Sequence, residues 1–499
     1  MAPTRTRAGL ILLVITFVIF AFPLVNDPDF GWHLKSGQLY LQTRHIPTHD
    51  IFSYTMSGYP WVNHEYAIDS FYYLLYRAAG NTTILLSLFF LIIAGITYLI
   101  VLPRTFKERL HGDERLFVGL IALLISRTFF GVRSQVFDWL GFLLVILIWN
   151  RFERTQSRTT LLWYIPLFFL WANIHGGFLI GFALASFCLC FRIIEGLQSR
   201  QFRPWLAREK RTLFFILGVL LASVIATLFN PYGIHLYQDI FHTIGNRTMI
   251  AAIGEWQPAI VSAPLILPFT VYVFFIILLL MLMKREKPLA LRDAMLLAIF
   301  LFIALSSLRF IPFFLFLSLP IVYSMFITHE FFLPMLLLLI FPSFFISSVA
   351  GKPPDIQNTT SLVANSPRPV PVARFGVKDI FVSEAPVQAL SYLRTHPMRG
   401  NMFNNYGWGG TLIWALPQYN IFIDGRMPYW ELDGRNIFRD YLTVETVSEG
   451  WDKKIEEYDI AWFLIKRSTP LAAVLNTMPE IWEKKYDDGF AVIFMKLKK

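Results

Sequence analysis

The residues with most chemistry to offer stand in Asp27-Pro28-Asp29-Phe30-Gly31-Trp32-His33, where carboxylates and an imidazole crowd one short stretch. On a helix starting near Asp29, His33 is four residues on, so carboxylate and imidazole share a face. Such a pair could take a proton from a sugar hydroxyl or hold a divalent cation. The same residues have a plainer use, because Asp27 or Asp29 could cap that helix. A second imidazole beside a carboxylate follows at His64-Glu65.

Further polar residues gather where apolar blocks end. They are Arg133-Ser134-Gln135 with Asp138, then Asn173 and His175 in Trp171-Ala172-Asn173-Ile174-His175-Gly176-Gly177, Tyr232 in Asn230-Pro231-Tyr232-Gly233, Glu255-Trp256, and Arg309. Ionisable groups at membrane depth are costly and usually face a cavity or a partner. Each also has a structural alternative: the Asn-Pro-Tyr-Gly run is a turn, His-Gly-Gly a tight hairpin, and Arg133 a side chain snorkelling to the interface. Arg133 and Arg309 beside one cavity would suit a phosphate, since guanidinium stays charged and grips phosphate oxygens bidentately. A carboxylate nearby would suit a hydroxyl nucleophile, and together these groups describe a site for a lipid phosphate in the outer leaflet.

The elements that must position these groups are read from hydropathy. Of 499 residues, 55% are hydrophobic and 16% charged, against about 45–50% and about 25% in ordinary soluble domains. The excess falls into apolar blocks of roughly 16–23 residues, the length a helix needs to cross ~30 Å of hydrocarbon. A soluble protein is excluded. The pattern predicts about eleven transmembrane helices, at 8–25, 81–102, 116–130, 135–149, 160–173, 176–193, 212–229, 263–283, 290–307, 310–327 and 331–349, forming an all-α polytopic membrane domain over 1–350. Between the first two, residues 30–44 and the segment opened by His64-Glu65 read as interfacial helices, with Trp32, Tyr66, Tyr72 and Tyr73 at headgroup depth.

A net charge of +10 could suggest nucleic acid, but Lys and Arg collect in alternate loops, as orientation signals do, and no nucleic-acid partner is expected. The loops holding Arg104, Arg151, Arg200, Arg208 and Arg285 are far more basic than those holding Arg44 and Arg247. This places the N-terminus in the cytoplasm and the candidate residues outside the cytoplasmic (inner) membrane. By parity, everything after residue 349 lies outside too. Arg5 and Arg7 before an apolar run suggest a secretory signal, yet no cleavage motif follows, so that run is kept as the first helix. Cys188 and Cys190 share an apolar block and read as small hydrophobes.

A Pro-, Ser- and Asn-rich linker covers 351–374, and residues 375–499 turn soluble. Candidate helices at 386–395 and 409–415, with strands at 401–404, 420–423, 460–464 and 491–495, predict a small C-terminal α/β domain. In it, Asn404-Asn405-Tyr406-Gly407-Trp408-Gly409-Gly410 could cradle a phosphate or sugar, or serve as a tight connection. Asp424-Gly425-Arg426 stands at a strand end, where α/β domains place ligands. Equally, it could be an internal ion pair packing this domain on the membrane part.

These pieces resemble the GT-C superfamily of membrane glycosyltransferases and, more narrowly, a group of bacterial multi-pass proteins related to it. The resemblance rests on the outer first loop with its acidic start and two interfacial helices. It also rests on DPDFGWHLKSGQ, IPTHDIFSYT, WVNHE, VRSQVFDW, WANIHGGFLIGF, LFNPYGIHLY, EWQP, SLRFIPFF, NNYGWGGTLIW and FIDGR. It implies a GT-C-like fold and a polyprenyl-phosphate-linked sugar donor. It also implies Asp29 as base, with Asp27 as fallback and Glu65 or Glu255 as a second acidic group. Asp-Pro-Asp stands here where some members carry an Asp-Glu pair.

The expected function is transfer of that sugar to a glycan, lipid or protein acceptor in the cell envelope, with inversion. Arg309 and Arg133 would neutralise the leaving lipid phosphate. His33, His64, Gln135, Asn173, His175, Tyr232, Glu255 and Trp256 would complete the binding site, and the sequence leaves open whether a divalent metal takes part. The alternatives are a transporter or lipid-handling protein, which commonly shows two related halves not seen here, and a non-catalytic assembly factor on the same scaffold.

Overall fold

A computed structural model describes residues 27–79, 134–258, 267–282, 290–323 and 385–497. The spans expected at 8–25, 81–102, 116–130 and 331–349, the 351–374 linker and Arg133 lie outside the described residues.

The first loop holds two helices, α1 (Phe30–Thr43) and α2 (Tyr66–Ala79). Arg44 ends α1 in the left-handed region, its N–H closing on the Tyr40 carbonyl at 2.8 Å. The helical domain follows with α3 (Gln135–Thr155), a 3₁₀ segment (Arg158–Trp163) running into α4 (Tyr164–Ala172), α5 (Phe178–Gln198) and α6 (Phe202–Thr227). Then come α7 (His235–Gly245), α8 (Arg247–Ala252), α9 (Leu267–Leu282), α10 (Leu291–Ser306) and α11 (Ile311–Tyr323). Single 3₁₀ turns at Gly254–Trp256 and Leu308–Phe310 carry Glu255 and Arg309 and are joined by the Leu308 N–H donating to the Gln257 carbonyl at 3.1 Å.

Among the described residues, α3, α5 and α6 are long and apolar enough to cross a membrane; at 1.5 Å per residue they extend about 30–40 Å. The return leg through α4 is shorter in residues, but its 3₁₀ part rises about 2.0 Å per residue, so the pair still reaches roughly 25 Å. α6 begins ten residues before the expected 212 because its basic first turns, with Arg203, Arg208 and Arg211, continue the helix beyond the apolar run.

These helices run alternately between a polar and a basic end. α3 starts at the polar end beside Ser134, α5 starts just after His175, and α6 ends in a turn whose Tyr232 hydroxyl donates to the Pro47 carbonyl of the first loop at 3.4 Å. At the opposite end Arg292 meets Glu153 at 3.0 Å and Arg192 meets Glu209 at 2.8 Å. Between the ends, Phe142 of α3 packs edge-on to Phe300 of α10 and Phe313 of α11, at 5.2 and 5.0 Å between ring centres.

The C-terminal domain runs α12 (Val387–Thr395), β1 (Asn401–Asn404), α13 (Gly409–Ala415), a small β2 (Glu431–Leu432) and β3 (Arg435–Asn436) ribbon, α14 (Ile437–Glu445) and α15 (Trp451–Glu457). It continues with β4 (Ile460–Lys466), α16 (Pro470–Asn476), β5 (Trp482–Asp487) and β6 (Ala491–Lys496). Its sheet has the order β1-β4-β6-β5, parallel between β1 and β4 and antiparallel elsewhere. Central β4 is apolar on both faces, as a strand covered on both sides requires.

Two expectations are corrected here. Residues 420–423 form no strand of this sheet: Ile421 makes a single bridge with Ser53, its N–H donating to the Phe52 carbonyl at 3.0 Å. The Asn404 side chain occupies the neighbouring backbone groups, accepting from the Phe422 N–H and donating to the Ile423 carbonyl, both at 2.8 Å. The unexpected strand is β5, whose Glu483, Lys484 and Lys485 mask it as a loop and protect it as a sheet edge. The apolar core is also shared: Trp32, Phe52, Met56 and Trp61 of the first loop are buried in one cluster with Phe403, Ile421, Ile423 and Trp430.

Candidate functional site

A cavity of about 670 Å³ opens where the first loop, the polar helix ends and the C-terminal domain meet. That is the size of a pocket for a small ligand. Glu65, the residue before α2, is its hub. It accepts from the Ser134 hydroxyl and lies 3.5 Å from His175 Nε2 and 3.8 Å from His33 Nε2. Behind each imidazole stands another carboxylate. His33 Nδ1 is 2.5 Å from Asp69 Oδ1, and Asp69 accepts from the Asn63 amide at 2.7 Å. His175 Nδ1 is 2.6 Å from Asp138 Oδ2, and Asp138 accepts from Trp171 Nε1 at 2.7 Å.

Local sequence explains the placement. Asp138 sits in the first turn of α3, where the helix dipole favours a carboxylate. Gly177 follows His175 because any Cβ there would collide with the Asp138 carboxyl group. On the other side of the ring, an Arg309 guanidinium nitrogen lies 3.2 Å from His175 Nε2. Arg309 also meets Glu255 at 3.4 Å and stacks over Trp256 at 4.9 Å, while its carbonyl accepts from Gln135 at 3.3 Å.

Burial and charge oppose each other in this cluster. Burial would lower the His33 pKa, but Asp69, Glu65 and Asp27 overcome it and raise it from 6.5 to about 9. Burial would raise Glu65, yet the imidazoles of His33, His64 and His175 and the Ser134 hydroxyl bring it down to about 2. Asp69 is pushed up to about 6, mainly by burial. His64 is also raised, against burial, by Asp239 and Glu65. Glu65 is thus an anion held by surrounding imidazoles.

His64, Glu65 and His175 offer ligand atoms all within 4.8 Å of one another. Imidazole nitrogen with carboxylate oxygen suits a divalent transition ion or zinc, and Asp138 behind His175 is the outer support such a ligand normally has.

The C-terminal domain closes the cavity with Tyr406 and the Gly425–Tyr429 turn. Gly425 lies so near the Asp29 carboxylate that a side chain could not fit. Arg426 is held by Asp424 at 2.6 Å and by Asp50 of the first loop at 2.9 Å. Its guanidinium is ringed by Trp61 at 4.5 Å, Phe52 at 4.9 Å and Trp430 at 5.2 Å. The motif is the expected ion pair that packs this domain on the first loop; it stands at no strand end of the sheet, and Gly425 and Arg426 line the cavity. Tyr429 donates to Asp239 at 2.9 Å, and Asp239 faces His64 at 3.7 Å.

Of the residues expected from sequence, Asp27, Asp29, His33, His64, Glu65, Gln135, His175, Glu255, Trp256 and Arg309 line this one cavity. The capping alternative is not met: Asp29 stands at the N-cap of α1 with no side-chain cap bond, and Asp27 accepts from the Asp29 N–H at 3.0 Å, ahead of the helix. His33 does not pair with Asp29 as the helical spacing suggested, because α2 brings Asp69 against its Nδ1. Asn173 and Tyr232 are not in the lining. Asn173 accepts from Tyr66 at 2.6 Å and donates to the Phe169 carbonyl at 2.8 Å, and Tyr232 anchors the first loop. Behind the lining stand two unforeseen acids, Asp69 against His33 and Asp239 facing His64, of which Asp69 was readable four residues after Glu65.

No family model matches the chain, and no curated protein matches it. Among solved structures it is similar to the apo form of the oligosaccharyltransferase of Archaeoglobus fulgidus. The identity is 13% and the TM-score 0.45, over 92% of this chain and 69% of that one. A likeness of that depth carries no conclusion about activity.

Proposed function

We propose that this chain is a GT-C-type membrane glycosyltransferase that moves a sugar from a polyprenyl-phosphate-linked donor to a hydroxyl acceptor outside the cytoplasmic membrane. The observation that carries the reading is a single cavity lined by both Asp29 and Arg309 at the polar end of apolar helices. Ile180, Ile240, Ile244, Met249 and Ile303 make one side of that cavity greasy, which suits an isoprenoid chain attached to a phosphate.

In the reaction Asp29 takes the acceptor proton as the acceptor oxygen bonds to the anomeric carbon. The bond from that carbon to the phosphate oxygen breaks, and its electron pair leaves with the lipid phosphate, whose growing charge Arg309 meets. One displacement inverts the anomeric centre. Glu65, drawn down by His33, His64 and His175, is the second acidic group of the site and anchors the imidazoles. A divalent cation held by His64, Glu65 and His175 would add Lewis-acid stabilisation of the phosphate.

Asp29→Asn in the full chain, assayed with a fluorescent polyprenyl-phosphate sugar, is expected to lower product formation by about 10²–10⁴-fold with an unchanged Tm. Unaltered turnover removes Asp29 from the mechanism. A wild-type protein that binds polyprenyl phosphate yet never releases product is a lipid-handling protein instead.

A further inference from the structure

The wall of the cavity nearest the C-terminal domain holds two buried donors without partners. Trp32 is 5% and Arg426 6% exposed, both line the cavity, and neither Trp32 Nε1 nor Arg426 Nη1 makes a hydrogen bond. They are neighbours, with the guanidinium carbon 5.9 Å from the Trp32 ring centre. Buried donors are nearly always paired, so two on one wall call for an acceptor atom that no described residue supplies.

Local charge selects the kind of acceptor. The single positive charge of Arg426 is already met by Asp50 and Asp424, and the Asp29 carboxylate stands against the adjoining Gly425. Two carboxylates on one guanidinium leave this wall net negative by themselves, and a phosphate or carboxylate would be repelled. A hydroxyl fits, because it accepts from an N–H while donating to a carboxylate. Trp32 and Trp61, both in the lining, add flat apolar faces of the kind that pack against a sugar ring.

We propose that Trp32 Nε1 and Arg426 Nη1, in the cavity that Asp29 also lines, form a subsite for a neutral, hydroxyl-rich acceptor, a glycan or polyol. This deepens the proposed transferase by naming its acceptor class and rests on that reading, although the binding itself does not. In this arrangement the C-terminal domain is a specificity element. Arg426 is its positioning residue.

The test uses the full chain in nanodiscs and saturation-transfer NMR with methyl glycosides of glucose, mannose, galactose and arabinose, with glucuronate as the anionic probe. At least one neutral glycoside is expected to bind, about tenfold more tightly than glucuronate. Trp32→Phe and Arg426→Lys should each weaken it by about tenfold, the effect of one lost hydrogen bond at the upper end. Absence of binding by every neutral glycoside, preference for glucuronate, or binding unchanged in Trp32→Phe would overturn the proposal; that last arm stands even if Arg426→Lys fails to fold. Flotation with vesicles containing polyprenyl phosphate, with Arg309→Ala as the losing variant, tests the donor side separately. Glycoside binding without lipid-phosphate binding would therefore sink the transferase reading alone.

Discussion

At the scale of single residues the site is a chain of alternating imidazoles and carboxylates, and its protonation has a definite pH signature. His33 titrates near 9 when folded and 6.5 otherwise, so its contribution to stability is full below about 6.5 and lost as pH rises through 9. Glu65 runs the other way: its contribution is present above 4.5 and lost as pH falls toward 2. Asp69, raised from 3.8 to about 6 by burial, costs stability as pH rises through that interval. Glu65→Gln removes one of the anions that raises His33. The Tm decline of wild type between pH 6.5 and 9 should consequently move to lower pH in this variant, as scanning fluorimetry across that range would show; an unmoved decline means that His33 does not depend on Glu65. Much of this site was legible, since the acidic and imidazole residues were found from their clustering at helix ends. Their partners were not, because spacing on α1 pairs His33 with Asp29 while the real partner, Asp69, arrives through the packing of another helix.

At the scale of elements, two glycines in apolar helices separate site geometry from helix stability. A Cβ at Gly177, the N-cap of α5, meets the carboxylate that orients His175, whereas one at Gly218 in α6 meets nothing within 4 Å. Gly177→Ala should therefore displace Asp138 and His175, cutting turnover at least tenfold and costing about 1–3 kcal/mol of overpacking. Gly218→Ala should leave Tm equal or higher, since alanine is the better helix former. Thermal unfolding and turnover of both variants check this, and equal behaviour would mean that Asp138 does not hold His175. Hydropathy located the apolar parts of α3, α5, α6, α9, α10 and α11 but not all their ends, because polar turns extend α6 without any apolar signal, and it gave no sign of the short α7 and α8. Edge strand β5 was hidden for a related reason: its exposed charges follow solvent, not backbone pairing. The Asn401–Asn404 and Ile460–Lys466 strands were readable because both are flanked by turns and buried.

At the scale of the whole molecule, the docking of the C-terminal domain on the first loop constrains the path of the chain through a membrane. Arg426 reaches Asp50, Tyr54 reaches the Met402 carbonyl, and Ile421 pairs with the loop backbone, so both parts stand on the same side. The chain between them must cross an even number of times, which the expectation of eleven helices meets after its first. The turn between α5 and α6, with Arg200, and the first turn of α6, with Arg203, lie at the other end of two membrane-length helices. By the positive-inside rule this end is expected on the cytoplasmic side. Single cysteines in a background with Cys188 and Cys190 replaced by serine make this measurable. Ile51→Cys in the first loop and Phe490→Cys in the C-terminal domain, both at exposed positions, should react with an impermeant maleimide in intact cells. Arg200→Cys should react only after permeabilisation. Opposite sides for Ile51→Cys and Phe490→Cys would break the docking on which the shared cavity depends. The same side for all three would mean that α5 and α6 do not cross, and a site reachable only from the cytosol would remove the proposed outer-face acceptor.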